Sequence, residues 1–302
     1  MSLGGRAEMA RLRRAVAEIE GAGLPRAARR IPLARALDPA LGGGLAEDSL
    51  YEIAPAEPAD AAAATGFALA LVARFLSRRP SAALFVGEGF MEREAGALYG
   101  PGLTAHGLPL SRFVFVRAPD AAAAFWAMEE ALKCGATAAV VGEIWSLKGY
   151  SLAASRRLLL AARKGGAPAL IVLASAYGQA GRLSSAAETR FEIAAAPSAR
   201  IPAAAGRRLP GPFACGARLV KSRLGGSVGA LDSRDGRLSV GLVDAVADRV
   251  PALNDRGSSA HDPVRMVRLE WRSEERTFDD PAISLSLAAA SGDGSRAAAP
   301  GF

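Results

Sequence analysis

The 302-residue chain holds two cysteines, Cys134 and Cys215, two histidines, four lysines and only 6% aromatic residues. Each scarcity excludes something. Two cysteines cannot build the disulfide framework of a small secreted domain, and they read as thiols in a reducing compartment. His106 and His261 stand apart from any cluster of His, Cys, Asp or Glu at ligand spacing, so no metal site is expected. No uninterrupted run of about 18 apolar residues occurs, and no membrane span is expected. The opening stretch "MSLGGRAEMARLRRAVAEIE" alternates charges with apolar residues and lacks the apolar core of a secretory leader. The expected location is the cytoplasm, with association with the nucleoid as a variant of it.

What is present is a basic, alanine- and arginine-rich chain. It is 50% hydrophobic and 22% charged, with a net charge of +7. That balance fits acidic partners, nucleic acid first among them, and equally fits the arginine enrichment of a G+C-rich genome. The charge is uneven: residues 1–35 carry eight arginines against Glu8, Glu18 and Glu20. Within them, Met9, Leu12, Val16 and Ile19 form one apolar stripe of a helix over residues 8–20, which Gly21, Gly23 and Pro25 end.

From residue 49 strands and helices alternate. Apolar runs at 50–54, 82–86 ("AALFV"), 112–116 ("RFVFV"), 136–145 ("ATAAVVGEIW") and 168–175 ("PALIVLAS") read as strands. Residues 120–134 and the stretch from 151 to Gly165-Gly166 read as helices, as does the run after Asp60, for which Asp60 is a suitable N-cap. Continuous apolar strands separated by helices imply a parallel sheet covered on both faces. After residue 190 the pattern shifts to short strands, "TRFEIAAA", "GARLVKSRL", "SVGAL" and "RLSVGLV", with Asp235-Gly236 closing a hairpin turn at 233–236. These imply antiparallel strands on the C-terminal side. Beyond Asn254 periodicity fades. The expected division is an N-terminal helical element at 1–30, an α/β core at 31–256 and a low-order tail at 257–302, in which 261–287 holds one strand or none. Trp126 reads as core, Trp271 as an anchor for the tail, and Trp145 as either core or partner-facing.

The segment after the first core strand carries the chemical question. A phosphate-binding loop in this place reads G-x-x-x-x-G-K-[ST], its amides and lysine cradling the phosphates and its hydroxyl holding Mg²⁺. Here the loop runs from Ala54 through Glu57 and Asp60 to Thr65, with neither lysine nor glycine between Ala54 and Thr65. Pro55 and Pro58 each remove an amide donor. Glu57 and Asp60 set negative charge where phosphates would lie, a repulsion of about 1 kcal/mol at contact in water and several times that in a drier site. Thr65-Gly66 echoes the motif faintly; a helix-surface threonine is the plainer reading. The strand "TAAVV" ends in Gly142 where an Mg²⁺-supporting Asp would stand, and Glu143, one place on, points to the opposite face.

The markers "LDPALGGGLAEDSLYEI", "ALFVGEGF", "LKCGATAAVVGEIWSL", "SRRLLLAARKGGAPALIVLAS" and "RLVKSRLGG" occur in an order that resembles the RecA recombinase fold. More closely, over roughly residues 8–245, they resemble the RecA-related accessory proteins of the ImuA family. The resemblance implies a RecA-like core with a mainly parallel sheet flanked by helices. By that correspondence Glu88 matches the water-activating glutamate, Ala174-Ser175 the phosphate-sensing polar pair, Lys221 and Arg223 a basic pair that reaches a neighbouring subunit's nucleotide, and the loop "AYGQAGRLSSAAETR", with Arg182 and Arg190, a DNA-binding loop.

With three of the four requirements for hydrolysis missing, the expectation is a pseudo-ATPase with no catalytic residue, no cofactor and no metal. The resemblance implies an adaptor in SOS-induced, error-prone translesion synthesis. Its implied partners are a Y-family-like polymerase, a replicative-type polymerase and RecA, with DNA as a further ligand and no membrane. The competing readings are a divergent RecA-type DNA-dependent ATPase or recombinase, and a cell-division inhibitor of the SulA type.

Overall fold

The computed structural model describes residues 29–198, 200–202, 208–223 and 266–280. All of them belong to one of two compact units of the chain, Met1–Leu231 with Pro263–Asp280. The expected helix at 8–20, the strands "SVGAL" and "RLSVGLV", the hairpin turn at 233–236 and His261 lie outside the described residues.

A short antiparallel pair, β1 (Arg30–Ile31) and β2 (Leu45–Ala46), precedes the core. β3 (Leu50–Pro55) is buried at every position, and leads through a 3-10 turn at Pro58–Asp60 into helix α1 (Ala61–Arg78). There follow β4 (Ala82–Glu88), the short helices α2 (Gly89–Ala95) and α3 (Gly100–Ala105), β5 (Phe113–Ala118), α4 (Ala121–Lys133), β6 (Thr137–Ile144), α5 (Leu152–Gly165), β7 (Ala169–Leu173) and β8 (Thr189–Ala195). The chain then forms a small hairpin of β9 (Arg200–Pro202) and β10 (Arg208–Pro210), the long strand β11 (Ala214–Ser222), and a terminal pair, β12 (Val267–Arg272) and β13 (Thr277–Asp279).

Helix boundaries follow from local chemistry. Asp120 and Ser151 accept hydrogen bonds from the amides of Ala123 and Ala154, satisfying donors at the starts of α4 and α5. Gly166, at φ 66°, ends α5 in the left-handed conformation that glycine adopts without strain. The apolar runs became strands because both their faces are covered. Nine of them form one sheet in the order β13-β12-β11-β8-β3-β7-β6-β4-β5. The six strands from β8 to β5 run parallel, and β11, β12 and β13 add antiparallel. The architecture is thus an α/β layer structure with a mainly parallel sheet and antiparallel strands on the C-terminal side, as expected.

α1 covers one face, its Phe67, Leu71 and Phe75 packing with Ile53, Phe85 and Phe191. α4 and α5 cover the other, with Met128, Leu132 and Leu158 against Val86, Val140 and Ile171. α1 with its preceding turn is apolar and long enough to meet a composition test for a membrane span, with a mean hydropathy of 1.5 over its best window. In sequence, Thr65 and Arg74 interrupt the run and hide its length. The helix spends its apolar surface on the core: twelve of its residues are buried.

Two expectations change. Residues 267–279, assigned to a low-order tail, are two strands that extend the sheet, because Leu269, Trp271 and Phe278 point into the core shared with α1. Trp126 is 66% exposed on α4 rather than core, whereas Trp271 is 1% exposed and anchors β12.

Candidate functional site

In open parallel sheets ligands settle beyond the carboxyl ends of the strands, where the connections diverge. Here that place is the β3–α1 loop. Counting the phosphate-loop motif from Pro55, the lysine and hydroxyl positions fall on Ala61 and Ala62. Four of the loop's amides, those of Ala56, Glu57, Asp60 and Ala61, turn inward. Ala56 donates to the carbonyl of Ile193 (2.8 Å), Asp60 to that of Glu57 (3.0 Å) and Ala61 to that of Pro58. The Glu57 amide donates to Asp60 Oδ2 (3.1 Å), and Asp60 Oδ1 accepts from the Ala195 amide (2.8 Å). Asp60 therefore does not cap α1 as expected: its carboxylate ties the turn to the end of β8. Ala54 is fully buried and Glu57 is exposed.

The neighbouring strand ends are equally occupied. At Gly142 a Cβ would stand 2.3 Å from Met128 Sδ. The space a carboxylate-bearing side chain would need is filled by α4. Glu143 does project to the opposite face, where Thr65 Oγ1 donates to its Oε1 at 2.5 Å. Burial raises the Glu143 carboxyl above its usual range, and the Thr65 hydroxyl offsets part of that. Thr65 is buried rather than on the helix surface; alanines on every side of the helix hide which face it takes. Glu88 is also buried, and its Oε2 accepts the amides of Trp145 (2.7 Å) and Ser146 (3.1 Å). Ser175 donates to the Trp145 carbonyl, and the Trp145 ring packs tilted against Phe90. Among the described residues no cluster of three metal-ligating side chains occurs.

The second group of expected residues lies toward the other end of the strands. β8 register sets Arg190 directly across from Glu52 of β3 and Lys221 of β11. Arg190 is 2% exposed. Its Nε donates to Glu52 Oε2 at 2.5 Å, and its remaining nitrogens donate to the carbonyls of Ala180 and Leu183 and to Ser185 Oγ. The Tyr150 hydroxyl completes the cage around Glu52. Arg190 is therefore not a DNA or partner contact, correcting the sequence expectation. It is the buried post around which the 176–185 loop is wound. The sequence signal was Glu52 itself: a carboxylate in a fully buried strand needs a cation.

A bulge between Leu219 and Lys221 lets Lys221 donate to the Ser185 carbonyl at 2.8 Å. Burial, reinforced by Arg223 and Arg190, brings the Lys221 ammonium down to about 8, against the opposing pull of Glu52. Arg223 and Arg182 are exposed, and the Ala180–Arg182 turn lies against Val220. Lys221, Arg223 and Arg182 thus emerge from one region, at the C-terminal end of β11. The loop and the basic group face different surroundings and do not form one pocket.

No family model matches the chain. Two curated relatives, each named Protein ImuA, from two strains of Caulobacter vibrioides, are 35% identical over 169 residues. The match takes in 53% of this chain and 66% of theirs, a little under two thirds of the relatives' length. Among solved structures, the RadB recombinase aligns with 82% of this chain and 97% of its own at 15% identity and a TM-score of 0.45. SulA from Pseudomonas aeruginosa aligns with 41% of this chain and 96% of its own at 22% identity and a TM-score of 0.33. Both scores are too low to bear on function. The sequence relatives are of a different order, and by them the chain is similar to ImuA proteins over about half of its length.

Proposed function

We propose that the chain is a non-catalytic adaptor in damage-induced, error-prone translesion synthesis, joining a Y-family-like polymerase partner to a replicative-type polymerase and touching a RecA-type recombinase. Similarity to the two proteins named ImuA supports the accessory role. One observation carries the non-catalytic half: the β3–α1 loop uses its amides on the chain's own carbonyls and on Asp60. A triphosphate needs those donors free and a cation beside them. Met128, filling the space at Gly142, supports the same reading, since it leaves no room for the carboxylate that would hold Mg²⁺.

The recombinase contact is assigned to Lys221 and Arg223, joined by Arg182. These cations sit away from the chain's own loop, an arrangement suited to reaching a neighbour's nucleotide rather than holding one. Direct DNA contact at this place loses Arg190 and rests on the same cations, of which Arg182 and Arg223 are exposed. The test is capture of ATP-bound recombinase filaments by the full chain. Replacing both Lys221 and Arg223 with Ala weakens capture at least tenfold. Because Lys221 sheds its charge near pH 8, raising the pH from about 7 to about 9 weakens capture by the wild-type chain in the same direction. Capture unchanged in both arms removes the recombinase from the account.

A further inference from the structure

The sheet ends differently at its two edges. β13 is three residues long, its Phe278 is buried and its Asp279 is ion-paired with Arg272. Short, charged edges of this kind resist further pairing. β5, at the opposite edge, has six residues, FVFVRA, with one charge and no proline. It pairs with β4 in unbroken register from Ala83↔Phe113 to Glu88↔Ala118. Its outward backbone groups have no sheet partner among the described residues. Side chains on both of its faces reach solvent: Val114 is 48% and Phe115 44% exposed. A long, regular, apolar edge is a template for another strand.

We propose that β5 pairs antiparallel with β5 of a second copy, joining two sheets across a two-fold axis through Phe115. The sequence of the strand selects this occupant. About Phe115 it reads Val-Phe-Val in either direction, so the axis sets Phe115 against Phe115 and Val114 against Val116. It also sets Phe113 against Arg117, whose guanidinium can lie on the ring while Glu92 holds its other side. Aromatic and β-branched pairs of this kind stabilise antiparallel sheets, and Arg117 never meets its own copy. Moving the axis one residue on, to Val116, brings Phe113 opposite Pro119, which has no amide to give. An isologous contact of this form closes with two subunits and does not propagate.

Sedimentation velocity of the full chain over a wide concentration range gives a reversible monomer–dimer equilibrium, and Val114→Lys, at an exposed position, shifts it at least tenfold toward monomer with far-ultraviolet circular dichroism unchanged. Register is read by cross-linking in a Cys134→Ser background. Phe115→Cys oxidises to a disulfide dimer, since directly opposed Cβ atoms approach to about 4.5 Å, the upper end of the disulfide range. Phe113→Cys alone does not cross-link, and does so when mixed with Arg117→Cys. A chain monomeric at every concentration overturns the proposal, as does a dimer that Val114→Lys leaves intact or one that cross-links through Phe113→Cys alone. If β5 gains hydrogen-exchange protection only when a recombinase or polymerase is added, the edge takes a foreign strand and self-pairing is wrong.

Discussion

Glu143 is a half-buried carboxyl that accepts a hydrogen bond from the Thr65 hydroxyl. A carboxyl whose folded pKa is raised weakens the fold as pH climbs through that pKa, because the native state then holds an ion it cannot solvate. Glu143→Gln keeps an acceptor for Thr65 and removes the ion. Thermal unfolding is therefore expected to show the variant a few degrees more stable at pH 7.5, the gain shrinking as pH falls toward 4.5. A variant less stable at neutral pH would mean the carboxylate has a partner that matters. Arg190 teaches the opposite lesson at the same scale. In sequence it is an arginine at the end of a polar loop, which reads as a phosphate contact. Only the register of β8 against β3 turns it toward Glu52, and register is set by pairing that a single sequence does not display.

At the scale of elements, the strands and the two longer helices on the α4–α5 face were legible because continuous apolar runs have few other uses. The short pieces were not: β1 with β2, α2 and α3 are too brief for periodicity to register. β12 was legible in retrospect. In "VRLEWR", Leu269 and Trp271 alternate with Arg268, Glu270 and Arg272, a half-buried strand whose charges drew attention away from its apolar face. The contact of α4 with β6 carries the element-scale prediction. Since a Cβ at Gly142 meets Met128 at Sδ, Cε and Cγ, Gly142→Ala is expected to cost about 1–3 kcal/mol by overpacking. In a Met128→Ala background the added cost should largely vanish. Equal costs in the two backgrounds, measured by denaturant unfolding, would show that Met128 is not what reserves the space.

For the molecule as a whole, the C-terminal strands decide where the core ends. A chain cut after residue 256 loses Leu269, Trp271 and Phe278 from the core, each worth about 1.5–3 kcal/mol of burial. It also loses the stack of Trp271 on His106, whose carbonyl accepts the indole N–H at 3.0 Å. A chain cut after residue 280 keeps all of these. Thermal melts are expected to place the first far below the second, and similar midpoints would contradict the packing described. Partner capture by the shorter chain therefore reads folding before it reads any binding motif. The central claim is that this scaffold has turned its nucleotide site inward. Calorimetric titration of the full chain with MgATP tests it most directly. The account predicts no saturable heat and no change when Mg²⁺ is withdrawn; saturable, Mg²⁺-dependent binding that Asp60→Ala strengthens or abolishes would contradict it.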